Sequence, residues 1–253
     1  TYSIMKKIVC FLLLFLISWG FIQAQNPLLD SLIHHINDLS TKKPSIQRDT
    51  NIILSLSLLT ERSVNLGDSR SQFFLDSLQR FTKNTNWPKG LGLHERALGK
   101  QNDVKGNYTE ALKHYTNAIQ LLKKAGGDSF ELAYAYVLAA FVLNNNGLTD
   151  KCLEMLKEAL PYAKATKNKS NLCWIYDFWG DYNYYDSFGI RNYKKALFYY
   201  KEVEKNIPFT TSPTLRADNP HCLANVYMKL GDEKKAHDYR DTALRIAKQY
   251  NNR

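Results

Sequence analysis

The sequence predicts an all-α solenoid of stacked antiparallel helix pairs. Three observations carry that prediction. A self-similar segment returns every 40 to 44 residues, each copy spaces its apolar residues helically, and turn-forming residues separate the copies. The clear copies are "GNYTEALKHYTNAIQLL" (106–122), "GLTDKCLEMLKEALPYA" (147–163), "IRNYKKALFYYKEVEKN" (190–206) and "GDEKKAHDYRDTALRIA" (231–247). Each passes from a turn to an anchor, namely Ala111, Cys152, Ala196 and Ala236, and a degenerate copy at 69–81 puts Ser71 in that place. About twelve residues upstream lies a second small or apolar position: Leu59, Gly99, Ala140 and Ala224. The equivalent before Ala196 is Gly180, because four extra residues fall in "YYDSFGIRN". Each unit therefore reads as helix A, a turn and helix B. The paired small residues let the helices approach to the usual ~8–10 Å.

The elements follow in order. Residues 1–24 hold four upstream residues, a plausible start at Met5, the basic pair Lys6-Lys7 and the apolar run "IVCFLLLFLISWGFI". A short basic region, an apolar run too short to span a bilayer comfortably and a cut after Ala24 predict a secretory signal peptide. An uncleaved anchor is the rival reading. Cys10 lies inside the run, which argues against a lipid-attachment cysteine. Residues 25–48 form a lead segment whose 26–40 stretch, "NPLLDSLIHHINDLS", is an amphipathic helix. The helical repeat domain spans 49–253, with units at about 49–86, 90–126, 129–169, 170–208 and 217–253. Its connectors are "NTNWPKG" (84–90), "KAGGDS" (124–129), "KATKNKSN" (164–171) and "IPFTTSPT" (207–214). Asn219-Pro220 reads as a helix start, with asparagine as cap and proline in the first turn. The last residues, "ALRIAKQYNNR", match the end of the 133–169 unit, where another helix follows. No polar capping helix closes the array, so the chain is expected to be the N-terminal part of a longer protein.

Composition sets further bounds. The net charge is +10, or +8 once residues 1–24 and their two lysines are removed. The basic residues are scattered in pairs with no block of five, so nucleic acid is not an expected partner. The mature chain keeps Cys152, Cys173 and Cys222, without a CxxC. All three read as small buried residues on helices, with a Cys173–Cys222 bridge as the lesser reading. His34-His35 point to adjacent faces of a helix, and His94-Glu95 lacks the second histidine of a zinc-binding helix. No cofactor, metal or catalytic motif is expected, and the chain is not read as an enzyme. The one catalytic alternative is acid–base work by Asp177 and Asp181, which are spaced i, i+4 on one helix face.

The repeats resemble the tetratricopeptide repeat. Leu98, Gly99, Gly106, Tyr108, Ala111, Leu112, Tyr115 and Ala118 follow that family's motif closely, and "LANVYMKLGDEKKAHDYRDTAL" (223–244) follows it well. The resemblance covers roughly residues 50 to 250 with a period longer than the family's ~34 residues. It implies a right-handed superhelical solenoid that binds a protein or peptide. It also implies an inner groove lined by helix A residues facing away from helix B. That register selects Arg96 and Lys100, then Tyr134, Val137, Phe141 and Asn144, then Trp174, Asp177, Asp181 and Tyr184 or Tyr185, and finally His221, Asn225 and Met228. Arg96 and Lys100 could together hold a partner's carboxylate, or form a solvated basic face. The aromatic stretch "WIYDFWGDYNYYDSF" (174–188) thus divides. Tyr176, Trp179 and Tyr182 lie on the packing stripe, and Trp174, Asp177, Asp181 and Tyr184 lie on the groove side. An exported array of this kind looks like the sensor region of bacterial membrane histidine kinases. The alternative is a stand-alone periplasmic or outer-membrane assembly factor. The membrane enters only through the signal segment or a missing C-terminal region.

Overall fold

The computed structural model describes residues 26–185 and 191–251. The expected signal peptide, and the Asp186–Phe188 tail of the aromatic stretch, lie outside the described residues. Those residues form α-helices joined by short turns, with no strand among them. None of these helices is long and apolar enough to cross a membrane. Contacts divide the chain into two compact units at Gly126–Gly127, where the sequence suggested one continuous repeat domain.

The first unit contains α1 (Pro27–Thr41), α2 (Ile46–Asn65), α3 (Ser71–Thr85), α4 (Pro88–Val104) and α5 (Tyr108–Lys124). Asn26 caps α1 by accepting from the amides of Leu28 and Leu29, and Ser45 caps α2 by accepting from Arg48. Helix α1 is the lead helix expected at 26–40. It buries Leu29 with Leu59 and Phe74, while Ile52, Ile53, Leu56, Leu75, Leu78, Leu93 and Ala97 make the main core. Helix pairs α2–α3 and α4–α5 pack internally, and α4 also packs on both helices of the preceding pair.

The second unit contains α6 (Ser129–Asn145), α7 (Thr149–Ala165), α8 (Ser170–Tyr184), α9 (Tyr193–Asn206), α10 (Pro213–Lys229) and α11 (Glu233–Asn251). Its pairs are α6–α7, α8–α9 and α10–α11, and each A helix packs on the next: α6 on α8, and α8 on α10. Four of the five anchors behave as the spacing requires, and Ser71 of the degenerate copy is only half-buried. Ala111, Cys152, Ala196 and Ala236 are all fully buried.

One turn recurs between the helices of a pair. An amide donates back to the helix carbonyl five residues earlier in Asp68–Ser63, Asn107–Asn102, Leu148–Leu143 and Asp232–Tyr227. The preceding residue is Gly67, Gly106, Gly147 or Gly231, each at a φ between 64° and 81°. This is the left-handed helix stop that favours glycine, and it ties off carbonyls a helix end would otherwise leave unpaired. The α8–α9 pair has no such glycine among the described residues. Its longer connection is closed by the Asn192 amide donating to the Asn183 carbonyl.

Two expectations are corrected. Helix α10 starts at Pro213, not at Asn219-Pro220, because Ser212 caps it by accepting from Leu215. Pro220 sits inside the helix, and the buried Asn219 donates its amide to the Tyr200 carbonyl, fastening α10 to α9. All three cysteines are free, but only Cys152 and Cys173 are buried. Burial pushes both of those thiols up to about 12. Cys222 is half-buried beside the α9–α10 core.

Candidate functional site

The predicted groove residues divide sharply. Five of them (Phe141, Asn144, Trp174, Asp177 and Asp181) line a single cavity of about 240 Å³ in the second unit, joined there by Asn145 and Phe178. Helix periodicity explains the set. Positions 141, 144 and 145 share one face of α6, and 174, 177, 178 and 181 share one face of α8.

Aromatic rings from both helices cluster in the lining. Phe141 meets Trp174 edge-on at 6.1 Å between centroids and lies tilted against Phe178 at 6.1 Å. Trp174 is itself half-buried against the cluster of Cys173, Val203 and Leu215, so its ring is held from behind.

The carboxylates of Asp177 and Asp181 sit on the same face of α8 as Trp174 and Phe178, and Gly180 explains how they are arranged. A Cβ on Gly180 would stand 2.4 Å from Cε1 of Tyr200. The missing side chain lets the Tyr200 ring cross α8, where its hydroxyl donates to Asp181 Oδ1 at 2.7 Å. Gly99 does the same in the first unit, where a Cβ would lie 2.6 Å from Tyr115. The tyrosine four residues after the anchor, rather than the anchor itself, fills the space the glycine leaves.

Asp177 carries no comparable bond among the described residues. Burial first, then the neighbouring Asp181 and Asp218, push its carboxyl up to about 7. Burial also raises Asp181, and Asp218 adds to that, while the Tyr200 hydroxyl opposes it. Tyr200 and Asp218 were not singled out from the sequence. Tyr200 had a visible signal in its equivalence to Tyr115. Asp218, on α10, had none, because it reaches the cluster only through helix packing.

The remaining candidates sit elsewhere. Arg96 does not face an open groove. It is 5% exposed, and its Nε donates to Glu61 Oε1 at 2.7 Å. The expected face of α4 is covered because α2 packs against it, and α2 brings a buried acid. Lys100 pairs with Asp103 at 3.4 Å on the same helix, so neither the carboxylate clamp nor a solvated basic face describes this pair. Val137 is buried. Tyr134 stacks on Phe130, two turns before Phe141. Tyr184 packs with Tyr185 and Tyr193 against the α9–α10 core rather than lining the cavity. On α10, Met228 is exposed and Asn225 hydrogen-bonds His221 at 3.0 Å. Trp179, expected in the core, is only half-buried. Tyr200 occupies the crossing beside Gly180, leaving Trp179 to pack at the rim with Tyr176 and Tyr199.

Neither a protein-family model nor a curated protein sequence matches the chain. Solved structures do. BtubC (BKLC) from P. vanneervenii is 17% identical, with a TM-score of 0.65 over 88% of this chain and 89% of its own. The nearly identical TPR-like repeats of a Podosopora anserina chain assigned as a kinesin light chain are 14% identical, with a TM-score of 0.52 over 78% of this chain and 96% of theirs. A singly substituted form of those repeats gives a TM-score of 0.54 at 14% identity, covering 79% and 97%. At this level of identity the likeness establishes the fold, which is TPR-like, as the motif implied.

Proposed function

We propose that this TPR-like chain is an exported interaction scaffold that holds a protein or peptide segment at the cavity between α6 and α8. The observation that carries this reading is the convergence of Phe141, Trp174, Phe178, Asp177 and Asp181 on one concavity. Aromatic faces with a few directed polar groups are what a binding site requires. Asn144 and Asn145, on the same lining, supply side-chain amides able to bond a peptide backbone.

The N-terminal segment supports export to the periplasm or cell envelope. Export and the repeat array together suit the sensory region of a signal-transduction protein, and they also suit a stand-alone assembly factor. Binding is favoured over acid–base catalysis by Asp177 and Asp181 because the lining adds amides and rings rather than a nucleophile.

A photoactivatable phenylalanine analogue installed at Phe178 tests the site. It should trap a partner in the cell envelope, whereas the same analogue at Lys157, exposed on α7, should not. Equal trapping at both positions, or none at Phe178, contradicts the reading. Export is tested separately by sequencing the mature N-terminus, which is expected at Gln25. A chain that keeps residues 8–22 would instead be anchored.

A further inference from the structure

We infer that the α6–α8 cavity takes a basic side chain, a lysine or arginine presented by a peptide; this rests on the cavity being the docking site. Two independent features point to a cation. The first is the charge arrangement. Asp177 and Asp181 line the cavity and Asp218 stands near enough to act on both. Among the described residues, the charged neighbours that move Asp177 are those other two carboxylates, and both add to the effect of burial. A half-buried carboxylate among its own kind is costly unless a cation joins it. The whole chain carries +10, yet among the described residues no lysine or arginine offsets the charge of Asp177 or Asp181.

The second feature is the aromatic cluster. Phe141, Trp174 and Phe178 give ring faces and edges beside the carboxylates. A lysine or arginine has an apolar stem that lies along such rings and a head that they attract. A simple metal ion would use the carboxylates and leave the rings idle. An acidic segment would be repelled. The cavity's volume of about 240 Å³ suits one long side chain rather than a folded element, and Asn144 and Asn145 on its lining can hold the flanking backbone.

The test uses the full-length protein and an array of immobilised twelve-residue peptides with matched random flanks. The central residue is Arg, Lys, Gln or Glu. Peptides centred on Arg or Lys should retain the protein at least tenfold more than those centred on Gln, and those centred on Glu least of all. Asp177→Asn with Asp181→Asn should bring the basic peptides to within about twofold of the Gln peptides. If the double variant fails to fold by circular dichroism, Asp177→Asn alone should still reduce the basic preference at least threefold. Phe178→Ala should weaken every retained peptide. Retention that ignores the central residue but is lost in Phe178→Ala overturns the cation assignment and leaves the docking site standing. Retention that is unaffected by Phe178→Ala, or no retention at all, overturns both.

Discussion

Two helices of this protein carry the same device, a like-charged pair one turn apart on helix A, and the structure treats them oppositely. In α4, Arg96 and Lys100 are each matched from within. Glu61 arrives from α2 and Asp103 from the same helix. In α8, Asp177 and Asp181 face a third carboxylate, Asp218, and the group that helps is the neutral Tyr200 hydroxyl. The spacing of charges along a helix therefore does not separate a pair matched by countercharges from a pair set beside a further like charge. What separates them is the neighbouring helix.

The contrast can be broken most forcefully at Glu61. Glu61→Gln takes the countercharge from a buried guanidinium and should cost about 3–5 kcal/mol in urea unfolding. Asp177→Asn at pH 8 removes no such countercharge and should leave stability unchanged or raised. If both substitutions destabilise equally, Asp177 has a partner as firm as Glu61 and the contrast fails.

Gly99 and Gly180 probe the shared scaffold. Each alanine would force a ring that has atoms 2.4–2.7 Å from the new Cβ, so each should cost about 1–3 kcal/mol by thermal unfolding. Only Gly180→Ala should also weaken peptide retention, because it displaces the Tyr200 hydroxyl from Asp181. Identical behaviour of the two variants would mean that Tyr200 does not position the site.

The pH dependence of stability is a smaller effect with a definite sign. Asp177 titrates higher in the folded than in the unfolded chain, and Asp181 shifts in the same direction. The folded state therefore keeps its proton longer. Their contribution to stability is greatest below the ordinary carboxylate range and is lost as pH rises towards about 7. The groups facing the pair are Asp218 and Cys222 on α10 and Tyr200 on α9, with Cys173 and Tyr185 nearby. Of these, the Tyr200 hydroxyl opposes the rise of Asp181. Asp177→Asn should remove a decline on the order of 1–2 kcal/mol between about pH 4 and 7, the cavity being open to water. A wild-type profile parallel to the variant's would contradict this. The smallest difference is between the tryptophans. Both are half-buried, so both alanine variants should be modestly destabilised. Only Trp174→Ala should weaken peptide binding, by about tenfold or ~1.4 kcal/mol.

The sequence carried most of the fold and half of the site. Periodicity placed the helices because it reports burial, and the alanine, cysteine and glycine positions marked close approaches correctly. It could not see that Glu61, thirty-five residues before Arg96, would be buried against it. The groove register counted positions around one helix, whereas burial in a repeat array also depends on the preceding A helix. Trp179 was misplaced because the approach allowed by Gly180 brings in Tyr200 instead. The start of α10 was misread because an Asn-Pro pair marks a cap only where no better one precedes it, and Ser212-Pro213 does.

The account rests on Asp177 being a carboxylate that waits for a cation, and its titration can be followed directly. Carbon-13 NMR of the aspartate side-chain carboxyls, assigned through Asp177→Asn, should show one group titrating near 7. Adding an arginine-centred peptide should move that midpoint down towards the ordinary range, and a glutamine-centred peptide should not. A midpoint in the ordinary carboxylate range, unmoved by either peptide, would contradict the account.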